Sequence, residues 1–160
     1  MIFSHTHHKN MNTSSSIIKS ALDVLNTEIS GIKLVKKTFD INFVAAIKEL
    51  SKVKGRVIIT GIGKSGHIAN KIASTMSSTG TPAQFCHSNE MSHGDLGILT
   101  TKDILIIISN SGNSSELKDA ISFSKKNKIK TIGISSNNNS ELMQSVDCPL
   151  LLPRAKEACA

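Results

Sequence analysis

A short run of β-branched residues leads directly into a glycine-rich turn and then into a helical pattern. The run is Val57–Thr60, and the glycines Gly61, Gly63 and Gly66 follow it. Such runs favour strands, and glycines let the backbone turn sharply where a helix begins. The stretch therefore predicts a strand, a tight turn and a helix whose N-terminal N–H groups can bind an anion, most often a phosphate.

Three interpretations of this turn compete. Its glycine spacing matches a dinucleotide-binding fingerprint, which needs an acidic residue about 20 positions further on to hold the ribose. The residues near that distance are Gln84–His87, and none of them is acidic. A nucleoside-triphosphate loop needs a glycine five residues before Gly63, and that position is Ile58. A turn that serves only helix packing stays open at this point.

Length and composition restrict the class of protein. The 160 residues suit one domain with a substantial core. The net charge of +7 would suit nucleic acid, but five Phe and no Trp or Tyr leave few side chains to stack on bases. The basic residues are also scattered along the chain, so we expect no nucleic-acid partner and a modest bias toward anionic metabolites.

The absence of certain sequence features bears on the protein's cellular location and on the role of its cysteines. No apolar run approaches the length of a membrane span, and the N-terminus has no signal-peptide core. We therefore expect a cytoplasmic protein with no membrane partner. The cysteines number three and form no CxxC pair, which argues against a disulfide framework and a structural zinc site.

The N-terminal third divides into a tail and helices. Residues 1–16 are polar and include His5, His7 and His8, which favours a disordered, solvated tail over a metal site. Residues 17–54 are predicted to form two helices that break near Thr38, with Asp40 as the cap of the second. Apolar residues recur there at helical spacing: Ile18, Leu22, Leu25, Ile29, Ile32, Phe39, Phe43, Ala46, Ile47 and Leu50.

From residue 55 to residue 160, apolar runs alternate with helical patterns. The predicted strands are 57–60, 83–86, 104–108, 131–135 and 149–152, and the predicted helices are 65–78, 115–127 and 141–145. Residues 87–97 and 136–139 are predicted as polar loops. This alternation predicts an α/β fold, a three-layer αβα sandwich around a five-stranded parallel sheet. Ligands of such sheets bind beyond the carboxyl ends of the strands.

A second strand-to-helix turn is rich in hydroxyl groups. Ser109, Ser111, Ser114 and Ser115 surround Gly112 just before a predicted helix. Hydroxyls together with backbone N–H groups form a neutral cradle for a phosphate. Because this turn and the first one, which carries Lys64, follow parallel strands of one sheet, we expect both at the same edge. A sugar phosphate is the ligand class that this pairing favours.

Five ordered motifs make a specific resemblance. They are Gly61-Ile-Gly-Lys-Ser-Gly-His67, Ser78-Thr-Gly-Thr-Pro82, His93-Gly-Asp-Leu-Gly97, Ser109-Asn-Ser-Gly-x-Ser-Ser-Glu116 and Ala155-Lys-Glu-Ala-Cys159. In order and spacing they resemble the sugar isomerase (SIS) domain of arabinose-5-phosphate isomerases, over about residues 55–159.

The resemblance implies an aldose-ketose isomerase that interconverts D-ribulose 5-phosphate and D-arabinose 5-phosphate, on the route to Kdo and lipopolysaccharide. It implies no cofactor and a homotetramer with sites at subunit contacts. The catalytic residues of the family match Lys64, Glu116 and Glu157, and the residues leave open which glutamate is the base. The residues expected to bind substrate are Gly63, Ser65, Gly80, Thr81, His87, His93, Ser109, Ser111, Ser114 and Ser115. His87 is also the position implied for an inhibitory zinc ion.

The sequence departs from the family in two respects. Asn113 stands where members usually have Glu. The family continues beyond the last motif into a Pro-Leu-Gly segment, further helices, a catalytic histidine and often a CBS pair, whereas this sequence ends at Ala160. Two functions are therefore expected as alternatives: an active isomerase, or a catalytically inactive module that binds a sugar phosphate.

Overall fold

The computed structural model describes residues 14–158, which divide into two compact units. One unit comprises residues 14–37 and 154–158, and the other comprises residues 38–153. The predicted tail up to residue 13, with its three histidines, lies outside the described residues, as does Cys159. The first helix begins at Ser14, so the last three residues assigned to the tail are helical.

The first unit is built on helix α1, Ser14–Val35, which has no buried residue. Its Gly31 faces the chain near Ala155, where a Cβ atom on the glycine would lie 3.4 Å from the alanine Cβ. Five large apolar side chains on α1 are between 46% and 68% exposed: Ile18, Leu22, Leu25, Ile29 and Ile32. Their spacing alternates between four and three residues, as in the contact seam of a coiled coil. We call these five residues the α1 seam.

The second unit begins with helix α2, Ile41–Leu50, after a 3-10 turn at Lys36–Thr38. Asp40 caps α2, because its Oδ1 atom accepts hydrogen bonds from the N–H groups of Asn42 and Phe43 at 2.9 and 3.1 Å. The predicted break between the two N-terminal helices and the predicted cap are confirmed.

The sheet has five parallel strands in the order β2-β1-β3-β4-β5. The strands are β1 Val57–Gly61, β2 Ala83–Phe85, β3 Ile104–Ile108, β4 Lys130–Ser135 and β5 Cys148–Leu151. The connecting helices are α3 Lys64–Ser78, α4 Ser88–Ser92, α5 Leu117–Lys126 and α6 Glu141–Ser145. The predicted parallel sheet and every predicted strand are present, with ends that differ by one residue at most.

Each face of the sheet carries its own apolar core. One core joins strand residues to α2 and α3 through Ala46, Ala69 and Ala73. The other joins the alternate strand residues to α4, α5 and α6 through side chains that include Met91, Leu117 and Leu142. Since β1 and β3 are buried along their whole length, helices cover both faces. The predicted three-layer αβα sandwich is therefore confirmed.

The segment predicted as a polar loop, 87–97, contains helix α4 and a 3-10 turn at Asp95–Ile98. Tertiary burial explains the error. Ser88 and Met91 are fully buried, and the Ser88 hydroxyl hydrogen-bonds the Thr60 hydroxyl at 2.8 Å. A helix this short has no periodicity that sequence patterns can detect.

The cysteine that precedes α4 is tied to the 3-10 turn. The Cys86 thiol donates to Asp95 Oδ2 at 3.7 Å and is 5% exposed. Burial, together with the nearby Asp95 carboxylate, raises the pKa of the Cys86 thiol to about 11.

Two aspartates tie strands together at the amino edge of the sheet. Asp103 accepts hydrogen bonds from the Arg56 N–H and from the N–H and hydroxyl of Thr100, at 2.6 to 2.8 Å. Asp147 accepts from the N–H and hydroxyl of Thr131 and from Lys130 Nζ, at 2.8 to 3.2 Å. Burial opposes ionisation of both carboxyls, but these donors outweigh it and lower both pKa values.

Within residues 14–158, no helix combines the length and the apolar character needed to cross a membrane.

Replacing Asp103 should give a pH-dependent loss of stability. At pH 7 we expect Asp103→Asn to lower the free energy of unfolding by roughly 2 kcal/mol, because the donors of Arg56 and Thr100 lose their charged acceptor. The folded-state pKa of Asp103 lies below its ordinary value of 3.8. Its contribution is therefore complete above that value and disappears as the pH falls through the folded-state pKa. Urea unfolding at pH 7 and at pH 3 measures this change.

Asp23→Asn is the control, because the exposed Asp23 carboxylate accepts no hydrogen bond within the described residues. The prediction would be contradicted if the difference in free energy of unfolding between wild type and Asp103→Asn were the same at pH 7 and at pH 3.

Candidate functional site

A cleft opens at the carboxyl ends of β1 and β3, which are neighbours in the sheet. Its volume is about 280 Å³. The chain leaves β1 toward β2 and leaves β3 toward β4 on the other side, so the cleft lies at a topological switch point of the sheet. Its lining residues are Ile62, Ser65, Ile108, Ser109, Asn110, Ser111, Ser114 and Leu117. The structure thus brings the two predicted turns together at one edge.

The glycines of the first turn have two different roles. A Cβ atom on Gly66 would lie 2.9 Å from the Gly61 carbonyl oxygen, and one on Gly61 would lie 3.0 Å from the Ile108 carbonyl oxygen. These two glycines let the start of α3 pack closely against β1 and β3. Gly63 has open space around it but a φ of 55°, which glycine adopts without strain. Packing and turning together account for the glycine spacing.

Two helix N-termini meet this edge of the sheet. Helix α3 has 15 residues and α5 has 10, and neither N-cap residue supplies a side-chain hydrogen bond to its helix. The first N–H groups of a helix have no acceptor within the helix and carry a partial positive charge. At α3 the N–H groups of Lys64 and Ser65 find no acceptor among the described residues, so they suit an anion. At α5 the N–H groups of Leu117 and Lys118 already donate to the carbonyls of Ser114 and Ser115, so α5 contributes the partial positive charge of its N-terminus.

The second turn adds hydroxyl groups whose oxygens already have donors. The Ser109 Oγ atom accepts from the Gly112 N–H at 3.1 Å, and Ser111 Oγ accepts from the Asn113 N–H at 3.4 Å. A hydroxyl whose oxygen accepts in this way keeps its proton for another acceptor. The turn therefore offers O–H donors in a cleft without a carboxylate among its lining residues.

Lys64 and Glu116 begin the two helices beside the cleft. Lys64 is the first residue of α3, is exposed, and forms no ion pair within residues 14–158. Glu116 is the N-cap residue of α5, and its carboxylate accepts a hydrogen bond from the Ser115 hydroxyl at 3.0 Å. An unpaired cation and a solvated carboxylate thus follow the two strands that border the cleft.

The model of the SIS domain matches residues 49–160. The chain belongs to the SIS domain family. The match begins within the segment 17–54 that was predicted as N-terminal helices.

Named relatives of this SIS domain are arabinose 5-phosphate isomerases. The chain is 45% identical to KdsD of Francisella tularensis over 148 residues, 91% of this chain and 45% of the relative. It is 43% identical to KdsD of Yersinia pestis over 136 residues, 85% of this chain and 42% of the relative. The chain thus spans less than half the length of these curated relatives.

A solved structure shares both fold and sequence with the SIS domain. It is that of an Escherichia coli CFT073 protein in complex with arabinose 5-phosphate, with a TM-score of 0.81 and 35% identity. The similarity covers 91% of this chain and 78% of that one.

The structure does not bring Gly80 and Thr81 to the cleft of their own chain. Helix α3 carries the chain from the carboxyl edge of the sheet back to the amino edge, and these residues follow it. The next residue, Pro82, accepts a hydrogen bond from the N–H of Val57, the first residue of β1. Both residues therefore lie at the opposite edge from the cleft. A contact between them and a ligand in such a cleft would require a second copy of the chain.

The two predicted histidines flank the short helix α4. His87 is its N-cap, and the His87 Nδ1 atom accepts from the Asn89 N–H at 3.2 Å. His93 is exposed and ends the helix. Among the described residues, no group of three His, Cys, Asp or Glu side chains is arranged to hold a metal ion. The described residues of one chain thus supply no further metal ligands beside His87.

Glu157 belongs to the other unit, with α1, and its side chain is exposed. Its catalytic role stays a prediction.

Four cleft residues were missed by the sequence interpretation. Three of them, Ile62, Ile108 and Leu117, are apolar neighbours of predicted residues, and Asn110 lies between two predicted serines. Their positions next to the two turns were the available sequence signal, but the sequence interpretation gave them no role in the site.

Close packing at Gly66 should make this SIS domain sensitive to one added methyl group. We expect Gly66→Ala to lower the free energy of unfolding by about 1–3 kcal/mol, because the new Cβ meets the Gly61 carbonyl oxygen. Gly97→Ala is the matched control, since a Cβ there meets nothing within 4 Å. Chemical denaturation of both variants measures the difference, and equal stabilities would show that the close approach is unimportant.

Proposed function

We propose that this SIS domain binds a sugar phosphate and acts as an aldose-ketose isomerase on D-arabinose 5-phosphate and D-ribulose 5-phosphate. One observation carries the proposal: serine hydroxyls and two helix N-termini converge on one cleft at the switch point of the sheet. The named relatives, and the structure solved with arabinose 5-phosphate, support this choice of substrate.

The phosphate would occupy the cleft between the two turns. Ser65, at the start of α3, and Ser109, Ser111 and Ser114 of the second turn line it, and Gly63 and Ser115 complete the proposed set. Neutral donors suit this task because a substrate phosphate must be bound and also released.

The isomerisation would use the charged residues beside the cleft. Moving a carbonyl between C1 and C2 needs a base for a carbon-bound proton, an acid for the oxygen, and a group that stabilises the enediolate. Lys64, which no acid neutralises within the described chain, is the proposed stabiliser. Glu116 and Glu157 are the proposed proton carriers. His87 and His93 are proposed as polar contacts of the substrate.

Self-association would complete the site. Gly80 and Thr81 lie at the edge opposite to the cleft, so their proposed substrate contact comes from another copy. The α1 seam offers an exposed apolar stripe that suits packing of a second helix. We propose a homotetramer that works in the cytoplasm and supplies the route to Kdo and lipopolysaccharide.

If the protein is an isomerase, its turnover of the pentose phosphates should depend on Lys64. Purified protein should interconvert the two pentose phosphates, and Lys64→Ala should slow turnover by about 100-fold or more. Lys71→Ala is the matched control, because Lys71 lies two turns further along α3 and also forms no ion pair in the described chain. A coupled assay of ribulose 5-phosphate formation measures both variants. Equal activity of wild type and Lys64→Ala would remove the isomerase proposal.

Phosphate recognition predicts ligand-dependent stability. Arabinose 5-phosphate at about 100 times its Kd should add about 2.7 kcal/mol of stability, which raises the Tm by roughly 5–10 °C for a chain of this size. D-Arabinose without phosphate should leave the Tm unchanged. Stabilisation without turnover would support the alternative, a catalytically inactive binding module. No stabilisation by either sugar would exclude both functions.

A charge placed in the α1 seam should disrupt assembly of the protein. Leu25→Glu places a charge in the middle of the seam and should shift the protein to a smaller species in light scattering after gel filtration. Ser20→Glu is the control, because Ser20 lies on α1 outside the seam and is exposed. An unchanged mass for Leu25→Glu would argue against the seam as the contact.

A further inference from the structure

The carbonyl groups of the second turn are held by the neighbouring segment of the chain. We call residues 109–116 the serine turn and residues 135–142, which run from the last residue of β4 into the start of α6, the brace. The Asn110 carbonyl oxygen accepts from the hydroxyls of Ser135 and Ser136, each at 3.0 Å. The Ser111 carbonyl accepts from Asn137 Nδ2 at 3.1 Å, and the Gly112 carbonyl accepts from the Leu142 N–H at 3.0 Å. Three consecutive carbonyls therefore point toward the brace.

This arrangement sets the direction of the N–H groups in the serine turn. In a trans peptide the C=O of one residue and the N–H of the next point in opposite directions. Since the carbonyls of Ser111 and Gly112 face the brace, the N–H groups of Gly112 and Asn113 face away from it. These are the N–H groups that donate to the hydroxyl oxygens of Ser109 and Ser111. The brace thus determines that the hydroxyls of the cleft keep their protons for a ligand.

Two asparagine side chains make the links that side-chain variants can test. Asn137 donates through Nδ2 to Ser111 and accepts through Oδ1 from the Asn139 N–H at 3.2 Å. Asn113 accepts through Oδ1 from the Glu141 N–H at 2.9 Å, at the start of α6. Neither asparagine is among the described residues that line the cleft.

The contact between turn and brace leaves no free space at its centre. Gly112 has a φ of 68°, and a Cβ atom there would collide with the side chain of Ser140. The turn therefore cannot move closer to the brace, and its hydrogen bonds oppose movement away from it.

We propose that Asn137 and Asn113 are positioning residues, which hold the serine turn with its donors directed into the cleft. The inference rests on the proposed function, since donor direction matters only if an anion binds there. Both residues act through the turn and not by touching the ligand.

The test compares two adjacent asparagines. Asn137→Ala removes the link to Ser111, whereas Asn138→Ala changes an exposed side chain that makes no hydrogen bond within the described residues. We expect Asn137→Ala to raise the KM for arabinose 5-phosphate and the Kd for inorganic phosphate about five- to tenfold. The kcat should stay within about twofold, and amide hydrogen exchange in residues 110–113 should become faster. Asn138→Ala should change none of these quantities.

A second pair of variants covers the case in which Asn137→Ala folds poorly. Asn137→Asp keeps the side-chain oxygen that accepts from Asn139, removes the donor to Ser111 and adds a negative charge. Asn138→Asp adds the same charge one residue away, so it controls for repulsion of the phosphate. We expect a larger rise in KM and faster exchange for Asn137→Asp than for Asn138→Asp.

The outcomes separate this inference from the proposed function. The inference would be overturned if the variants at positions 137 and 138 had equal amide exchange rates and equal KM values. It would also be overturned if amide exchange in the variants at 137 became faster with no change in KM or Kd. If wild-type protein neither binds phosphate nor turns over the sugar phosphate, the proposed function fails. The exchange comparison then still decides whether the brace orders the turn.

Discussion

The parallel pairing of β1 with β3 is the interaction on which the rest of the site depends. The register runs from Val57 opposite Ile104 to Gly61 opposite Ile108, so both strands end at the same level. The turns that follow are then neighbours, although Gly61 and Ile108 are far apart in the sequence. A slip of this register would separate the first turn from the serines and also turn the buried side chains of β3 to the wrong face.

The side chains that hold the loops at the two edges of the sheet differ in charge. At the amino edge, carboxylates tie the strands: Asp103 holds the start of β1, and Asp147 holds the start of β4. At the carboxyl edge, neutral amides and hydroxyls do the equivalent work, with Asn137 and Ser136 holding the serine turn. Aspartates in the brace would repel an anion in the cleft nearby. The side chains of the brace that hold the serine turn are thus uncharged, which is consistent with a site for phosphate, and the two aspartates that tie the strands stand at the other edge.

Periodicity and turn chemistry were sufficient to predict the sheet, the two turns of the cleft and every helix of the second unit except the short α4. The runs at Val57 and Ile104 are too short and too apolar for anything but buried strands, and Asp40 is a strong cap. The order of the strands depends on pairing between distant segments, which local patterns do not contain. Residues 136–139 of the brace were therefore predicted only as a polar loop, because their contact with the serine turn comes from β4 lying next to β3. The same reason explains Gly80 and Thr81, whose place at the amino edge depends on the direction of α3.

The buried thiol before α4 has a consequence for redox chemistry. With a pKa of about 11, only on the order of one Cys86 side chain in ten thousand is a thiolate at neutral pH. Oxidants and alkylating reagents attack the thiolate, so Cys86 should be inert while the protein is folded. Its reaction with such reagents would then report on opening of the segment that carries His87 and His93, which makes this cysteine an internal probe of local unfolding.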